Sequence, residues 1–443
     1  MNGLSGGAIH PLATLDPAAP PDDLDWLDAA IGDARVVAIG ESAHYNRESY
    51  LLRHRLLRHL AERHGFGAYA MESGFVEGWL ADGYVRGGDE RPGHVAANGL
   101  TSLMGLWQEM GDHLAWMRRH GGVRFYGIDL PGSVMSPLPG LDAVTAYLAE
   151  ADPGFEVDPA LRETASAYAA PSAFSAPEAL AAYGQLAGKD ALTAGLADLL
   201  ARMTATRLDQ VRRTSADTYE RALHTLRLTI ALDAALRAMA RGAADGTHFH
   251  IREAAIADTV EWILRREDRV VLAAHNGHVM RHPVTMPGLP PSATMGMRLA
   301  DGLGTGYLVI GTTTGAGHTL NLEPDFRTGR LFTEMGAPEP GTLDALMTAS
   351  NAAQTGQAGH SSQAGHAAPF AIDLRHLSPA DAEAVKAVSL QRFGGFSSEV
   401  RPLDAYDLVV HLPHVTPAHP DPAALACAPA EVREAFAAFT GGS

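Results

Sequence analysis

Six short apolar runs constrain this chain more than any other feature. They lie at residues 35–39, 68–71, 123–128, 269–273, 307–311 and 408–411. Each is too short for a helix and is apolar at nearly every position rather than at alternate ones. Strands buried on both faces have that signature, and such strands belong to parallel sheets covered by helices. Long stretches of helical period separate the runs, which is the βαβ arrangement. The first run, Val36-Val37-Ala38-Ile39, leads directly into Gly40-Glu41-Ser42-Ala43-His44. An amphipathic stretch at 50–63 follows, with Leu52, Leu56, Leu57 and Leu60 on one face and Gly65 where a helix C-cap belongs.

Four of the runs end in a carboxylate or an imidazole: Glu41 with His44, then Glu72, then Asp129, then His275 with His278. If the sheet is parallel, these ends share one edge, and ligands bind at that edge. Each residue also has an ordinary role open to it. Glu41 suits the first turn of a helix. Asp129 before Leu-Pro-Gly suits an Asx turn. His275 suits a satisfied core histidine. The recurrence over four strands argues for one shared cleft.

The segment from about 140 to 265 shows helical periodicity and no convincing strand. The expected division is therefore an α/β core at 30–135, a helical insertion subdomain at 136–266, and the second half of the core at 267–420. A low-complexity Gly/Ala/Gln/Ser stretch at 349–368 reads as a surface loop. The expected fold class is α/β, a largely parallel central sheet flanked by helices, with the helical insertion packed on it.

Composition narrows the partners. The 34 basic and 51 acidic residues leave a net charge of −17, which disfavours nucleic acid and anionic membranes. No apolar run reaches the roughly 18–20 residues of a membrane span. The first 25 residues lack a basic segment followed by an apolar core, so no signal peptide is expected. The expectation is a soluble, cytoplasmic protein. The single cysteine, Cys427, allows neither an intramolecular disulfide nor a cysteine zinc site. Among the 21 histidines, His54, His59, His64 and His120 sit in surface-like contexts and are expected to be solvated.

Three chemistries can use this set of Glu and His. A histidine can act as a general base on water, oriented by a carboxylate, with a second histidine or an arginine at the oxyanion. The same side chains can bind a divalent metal, although no HExxH is present. A serine nucleophile is the weakest fit. The one G-x-S-x-G, Gly3 to Gly7, has no strand before it, and Ser42 lacks the second glycine. Neither a P-loop nor a dinucleotide fingerprint occurs between a strand and a helix.

The motifs Gly40-Glu41-Ser42-Ala43-His44 with Arg53 after them, Met71-Glu72-Ser73-Gly74-Phe75, and Ala274-His275-Asn276-Gly277-His278 together resemble the erythromycin esterase family. Arg252-Glu253, Met295-Gly296, Phe396 and the 404–410 segment add to the likeness, which runs from about 30 to 417. The resemblance implies hydrolysis of the macrolactone ring of macrolides, with no cofactor and no metal. It implies an α/β core with a helical subdomain over the cleft. It also implies His44 as general base, with Glu41 and Glu72 orienting it and the water. His275 and His278 would face the ester carbonyl. Arg53 and Arg252 would hold the carboxylates or stabilise the oxyanion. Glu253 departs from the more usual Asp after the arginine.

The expected substrate is therefore an ester or lactone of a bulky, largely apolar small molecule. Phe75, Trp79, Met104, Trp107 and Met280 are candidates for the cleft walls, each with burial in the core as its ordinary alternative, and Asp129 is a further substrate-binding candidate. Two other readings use the same residues. One is a secondary-metabolite tailoring enzyme performing cyclisation or elimination. The other is a metal- or haem-binding module with the histidines as ligands.

Overall fold

The computed structural model of the protein describes residues 3–242, 245–358 and 368–441. Its strands are β1 (Ile9–Pro11), β2 (Val36–Ile39), β3 (Ala68–Gly74), β4 (Arg124–Asp129), β5 (Val270–Ala273), β6 (Tyr307–Leu320), β7 (Phe332–Met335), β8 (Phe370–Asp373), β9 (Leu390–Phe393), β10 (Phe396–Glu399) and β11 (Leu408–Val415). Nine of them form one sheet in the order β1-β8-β11-β6-β2-β5-β3-β4, with β7 also paired to β6. From β11 to β4 every neighbouring pair is parallel. The antiparallel strands β1, β8 and β7 complete it.

All six expected strands are present. The alternation within β2 shows why it is apolar throughout. Val36 and Ala38 join the core on one face, and Val37 and Ile39 join the core on the other. The helix Arg47–His64 follows β2 and ends at Gly65, whose φ of 67° is left-handed. A β-carbon costs little to omit there, so glycine is the natural C-cap.

The expectations needed several corrections. The strand expected at 307–311 runs on to Leu320, because its Thr312-Thr313-Thr314 stretch continues as ladder rather than loop. The five remaining strands are short, and most pair antiparallel at the sheet's edge or in the separate β9–β10 hairpin. Residues 75–120 divide into three helices, Gly78–Val85, Pro92–Gly99 and Gln108–His120. In the stretch assigned to a loop at 349–368, residues 349–358 continue the helix Leu343–Ala358, and 359–367 lie outside the described residues. His54 and His59 are buried rather than solvated. His54 stacks on His113 and His59 bonds Asp28.

Between Leu138 and Leu264 the described residues form helices and no strand. Their apolar side chains share one continuous core with the sheet face that carries Val36 and Ala38. Among the described residues no helix is long and apolar enough to cross a membrane.

Candidate active site

The parallel order puts β2, β5, β3 and β4 side by side, so their carboxyl ends form one edge. Gly40 is the first residue past β2, and an ideal β-carbon on it would lie 2.0 Å from Asn276 Oδ1. Only glycine admits that approach. Asn276 uses it to clamp the edge. Its backbone N–H donates to the Glu41 carbonyl at 2.8 Å, and its side chain bridges the Thr312 N–H and C=O. The pairing register of β3 slips between Met71 and Gly74, which places Glu72 in a bulge. Bulges re-aim side chains in this way beside active sites.

The side chains gathered at the edge form one network. His44 Nδ1 lies 2.6 Å from Glu41 Oε1. The other Glu41 oxygen is held by Arg53 at 2.9 Å. Arg53 also donates to the Ala274 carbonyl at 2.7 Å, tying β2 to β5. Glu72 receives three groups: the His275 N–H at 2.8 Å, His278 Nε2 at 3.1 Å and Arg252 Nη2 at 3.1 Å. Arg252 donates its Nε to Asp129 at 3.0 Å. His278 Nδ1 lies 2.6 Å from Glu253, whose second oxygen accepts the Met295 N–H. His44 Nε2 stands 4.0 Å from Glu72 Oε1.

Burial and charge divide the three histidines into different states. Burial opposes charging His44, but its bond to Glu41 and the negative Glu41 and Glu72 lift it above the ordinary imidazole range. Burial likewise opposes His278, but Glu253 and Glu72 outweigh it and carry its pKa up to about 10. It is an imidazolium with both N–H groups donated to carboxylates. His275 is pushed down to about 3, by burial first and then by the positive His44. The Gly277 N–H can only donate, so His275 Nδ1 accepts it at 3.0 Å, and Nε2–H faces the Ser42 carbonyl at 3.1 Å. Both nitrogens of His275 are thus engaged by backbone.

The carboxylates are held as anions by their partners. Burial would raise Glu41, yet Arg53 and His44 keep it below the usual range. Burial would also raise Glu72, yet His278, His44 and Arg252 hold it well below. The network joins four carboxylates, Glu41, Glu72, Asp129 and Glu253, to three cations, Arg53, Arg252 and His278. One negative charge is left over while His44 is neutral. A proton arriving on His44 cancels it.

The His278 state has a stability consequence. Its pKa is about 10 when folded, against 6.5 for a free imidazole. The stabilisation is therefore complete below the lower value and lost as pH rises through the upper one. Urea unfolding should show stability falling between about pH 7 and pH 10, with a shallower fall in His278→Asn. Equal pH slopes in the two proteins would contradict the assignment.

The network opens on a cleft of about 450 Å³. His44, Glu72, Arg252, His275 and His278 line its floor. The His44 side chain is 23% exposed and that of Glu41 only 2%, so the imidazole, not the carboxylate, meets the cleft. Phe249 and Met239 from the helical segment, Met286, and Phe393 and Phe396 of the β9–β10 hairpin supply apolar walls.

The expected walls lie elsewhere. None of Phe75, Trp79, Met104, Trp107 and Met280 is among the residues lining this cleft. Phe75 packs edge-on against Trp79, His224 and Trp262 in the core. Met104 and Trp107 are buried on the opposite face of the sheet, where Trp107 stacks on Tyr45. Met280 is fully buried beside the Tyr406 hydroxyl. Large apolar side chains gain most from complete burial; Phe75, Met104, Trp107 and Met280 took it, and Trp79 is partly buried against the core that holds Phe75. Asp129 also stays out of the cleft and anchors Arg252 from behind. Glu253 was absent from the expected site. The Arg252-Glu253 pair stands out in the sequence, but nothing in it indicates the contact with His278.

A metal would need donors free to bind it. Among the described residues, three donor atoms converge closely enough only at Asp28, His59 and His64, all on helices. The His278 nitrogens both face carboxylates, which leaves no lone pair for an ion.

An acid–base site at the carboxyl edge of a parallel sheet, with an apolar cleft above it, defines a class of α/β enzyme. The family model for erythromycin esterase matches residues 61–415, and the chain belongs to that family of hydrolases. It is 30% identical to an erythromycin esterase type II of Escherichia coli over 69% of this chain and 75% of that one. It is 24% identical to an erythromycin esterase type I of the same organism, over 63% and 70%. Among solved structures the fold matches a mutant of the erythromycin esterase EreC in its open conformation, with a TM-score of 0.73, 20% identity, and 91% and 97% of the two chains covered. A Bacillus cereus protein matches with a TM-score of 0.73 at 19% identity, over 94% and 97%.

Proposed function

We propose that this protein is a carboxylic ester hydrolase that opens a macrolide-type lactone with water activated by His44, without a metal. The observation that carries this reading is the relay Arg53–Glu41–His44, which ends in an imidazole nitrogen facing the cleft. Glu41 accepts the Nδ1 proton, so Nε2 holds the lone pair. Nε2 takes a proton from water, and the water oxygen adds to the lactone carbonyl. The C–O bond then breaks, and the leaving alkoxide takes the proton back from His44. The products are a carboxylic acid and an alcohol, with one water consumed.

Fixed charge supports the proton transfer. The imidazolium formed on His44 restores neutrality to a network that otherwise carries one excess negative charge. Arg252 is the nearest candidate for the oxyanion. Its Nε and Nη2 are held by Asp129 and Glu72, while Nη1 makes no hydrogen bond among the described residues. The relatives named for erythromycin suggest the substrate class, and the apolar walls suit a macrocycle with one polar reacting group.

The test is erythromycin turnover in oxygen-18 water after exhaustive chelation. The expected product is the ring-opened acid carrying one heavy oxygen. A product of unchanged mass would indicate cyclisation or elimination instead. Loss of turnover on chelation, restored by a divalent ion, would overturn the metal-free mechanism.

A further inference from the structure

Five non-glycine residues among those described have left-handed backbone: Tyr45 (φ 65°), Ser102 (52°), Leu103 (63°), Ser133 (52°) and Val134 (66°). Such conformations are unfavourable for residues with a β-carbon and persist only where surroundings enforce them. For β-branched Val134 the conformation is especially unfavourable. These five residues are not scattered. Tyr45 directly follows His44, and its hydroxyl donates to the Ser102 carbonyl. The Ser102 N–H donates to Ser133 Oγ at 2.9 Å. Ser133 adjoins Val134, whose side chain lines the catalytic cleft. All the strained side-chain-bearing positions therefore lie on one path that leaves His44 and returns to the cleft wall.

The path borders a second cavity. It holds about 340 Å³, and Ser102, Leu103 and Ser133 line it. That volume falls in the range of small-molecule sites, roughly 300–1,000 Å³. Loop Gly132–Val134 is shared: Gly132 and Ser133 face this cavity and Val134 faces the catalytic cleft. Ser136, Ser172 and Thr101 add hydroxyls and Asn98 an amide, and most of the rest of the lining is alanine, proline and leucine. No Lys, Arg or His lines it. Glu77 does, and one of its oxygens accepts the Gly132 N–H at 2.8 Å while the other is buried without a partner. Burial, above all, raises this carboxyl above its ordinary range.

We propose that this cavity is a second binding site, for a neutral hydroxyl-rich small molecule, and that its occupancy is transmitted to His44 through the strained path. An anion would meet Glu77 with no compensating cation. A polyol has hydroxyls that can both donate to and accept from serine side chains, and a carbon skeleton to cover the alanines and prolines. Contact with Ser102 and Ser133 bears on residues already held away from their preferred backbone. A small gain at either is enough to shift such a balance, because a ligand moves an equilibrium by its differential affinity.

The test does not require turnover, so it stands or falls apart from the hydrolase reading. Methyl α-D-glucopyranoside and myo-inositol are titrated separately into the full-length protein by calorimetry. Parallel spectra follow protein labelled at histidine, with the His44 signal identified by its absence in His44→Ala. The expected result is saturable binding of at least one probe with a concurrent shift of the His44 signal. Both should vanish in Ala97→Trp, which narrows the cavity, and in Ala170→Trp, made in case the first does not fold. No saturable binding of either probe would overturn the proposal. So would binding that survives the folded tryptophan variants, since it would lie elsewhere. Binding with an unmoved His44 signal would overturn the coupling.

Discussion

Replacing His44 with alanine should lower turnover by about 10²–10⁴-fold, the usual contribution of a general base. Substrate should still bind, because the cleft walls belong to other elements. Steady-state kinetics on the active substrate, with binding followed separately in the variant, will check this. Near-normal kcat in His44→Ala would refute the role. The acid side of the pH profile carries the same information. His44 works as a base only when neutral, and Glu41 and Glu72 favour its charged form. The rate should therefore fall on acidification with a midpoint above that of a free imidazole. In Glu41→Gln that midpoint should move down, since the hydrogen bond and much of the charge that raise it are removed.

Replacing Arg53 with methionine should unfold the site as well as disable it. The Arg53 side chain is 3% exposed and that of Glu41 2%, so removing the cation leaves a buried carboxylate with only the His44 hydrogen bond and no water to receive it. Breaking one side of a buried pair costs about 3–5 kcal/mol. Two backbone carbonyls, Ile39 and Ala274, lose a donor at the same time. Chemical denaturation should show a loss of that size. The double variant Arg53→Met/Glu41→Met should recover much of the stability and none of the activity. If the single variant is as stable as wild type, Glu41 does not depend on Arg53 for its charge.

The strand-end residues were legible because a strand buried on both faces gives an uninterrupted apolar signal, and that signal stops where the chain reaches the edge. Glu41, Glu72, Asp129 and His275 each stand at such a stop. The parallel order then brings them together. The walls were not legible from the same logic. Phe75 ends one of the motifs and Trp107 lies 32 residues beyond it, and the chain turns both into core. The actual walls depend on which distant segment is laid across the edge. Phe393-Gly394-Gly395-Phe396 carried a signal the strand reading passed over: two glycines between extended residues mark a tight hairpin. Gly394 takes the required positive φ, at 59°. The tie between Glu253 and His278 was hidden for another reason. It depends on the rotation of a helix about its axis, which no local spacing specifies.

The position of β5 has a consequence for how the chain is made. It lies between β2 and β3, although it is synthesised some two hundred residues after them. Until residues 270–278 leave the ribosome, β2 and β3 have no shared neighbour, and a nascent chain that let them pair directly would close the slot β5 needs. Glu41 would then already have His44 and Arg53, but Glu72 would lie beside it without His278 and Arg252, the cations that hold its charge. The uncompensated Glu72 works against that wrong pairing, so a charge that serves the finished site also helps keep the β5 slot open while the chain is still growing.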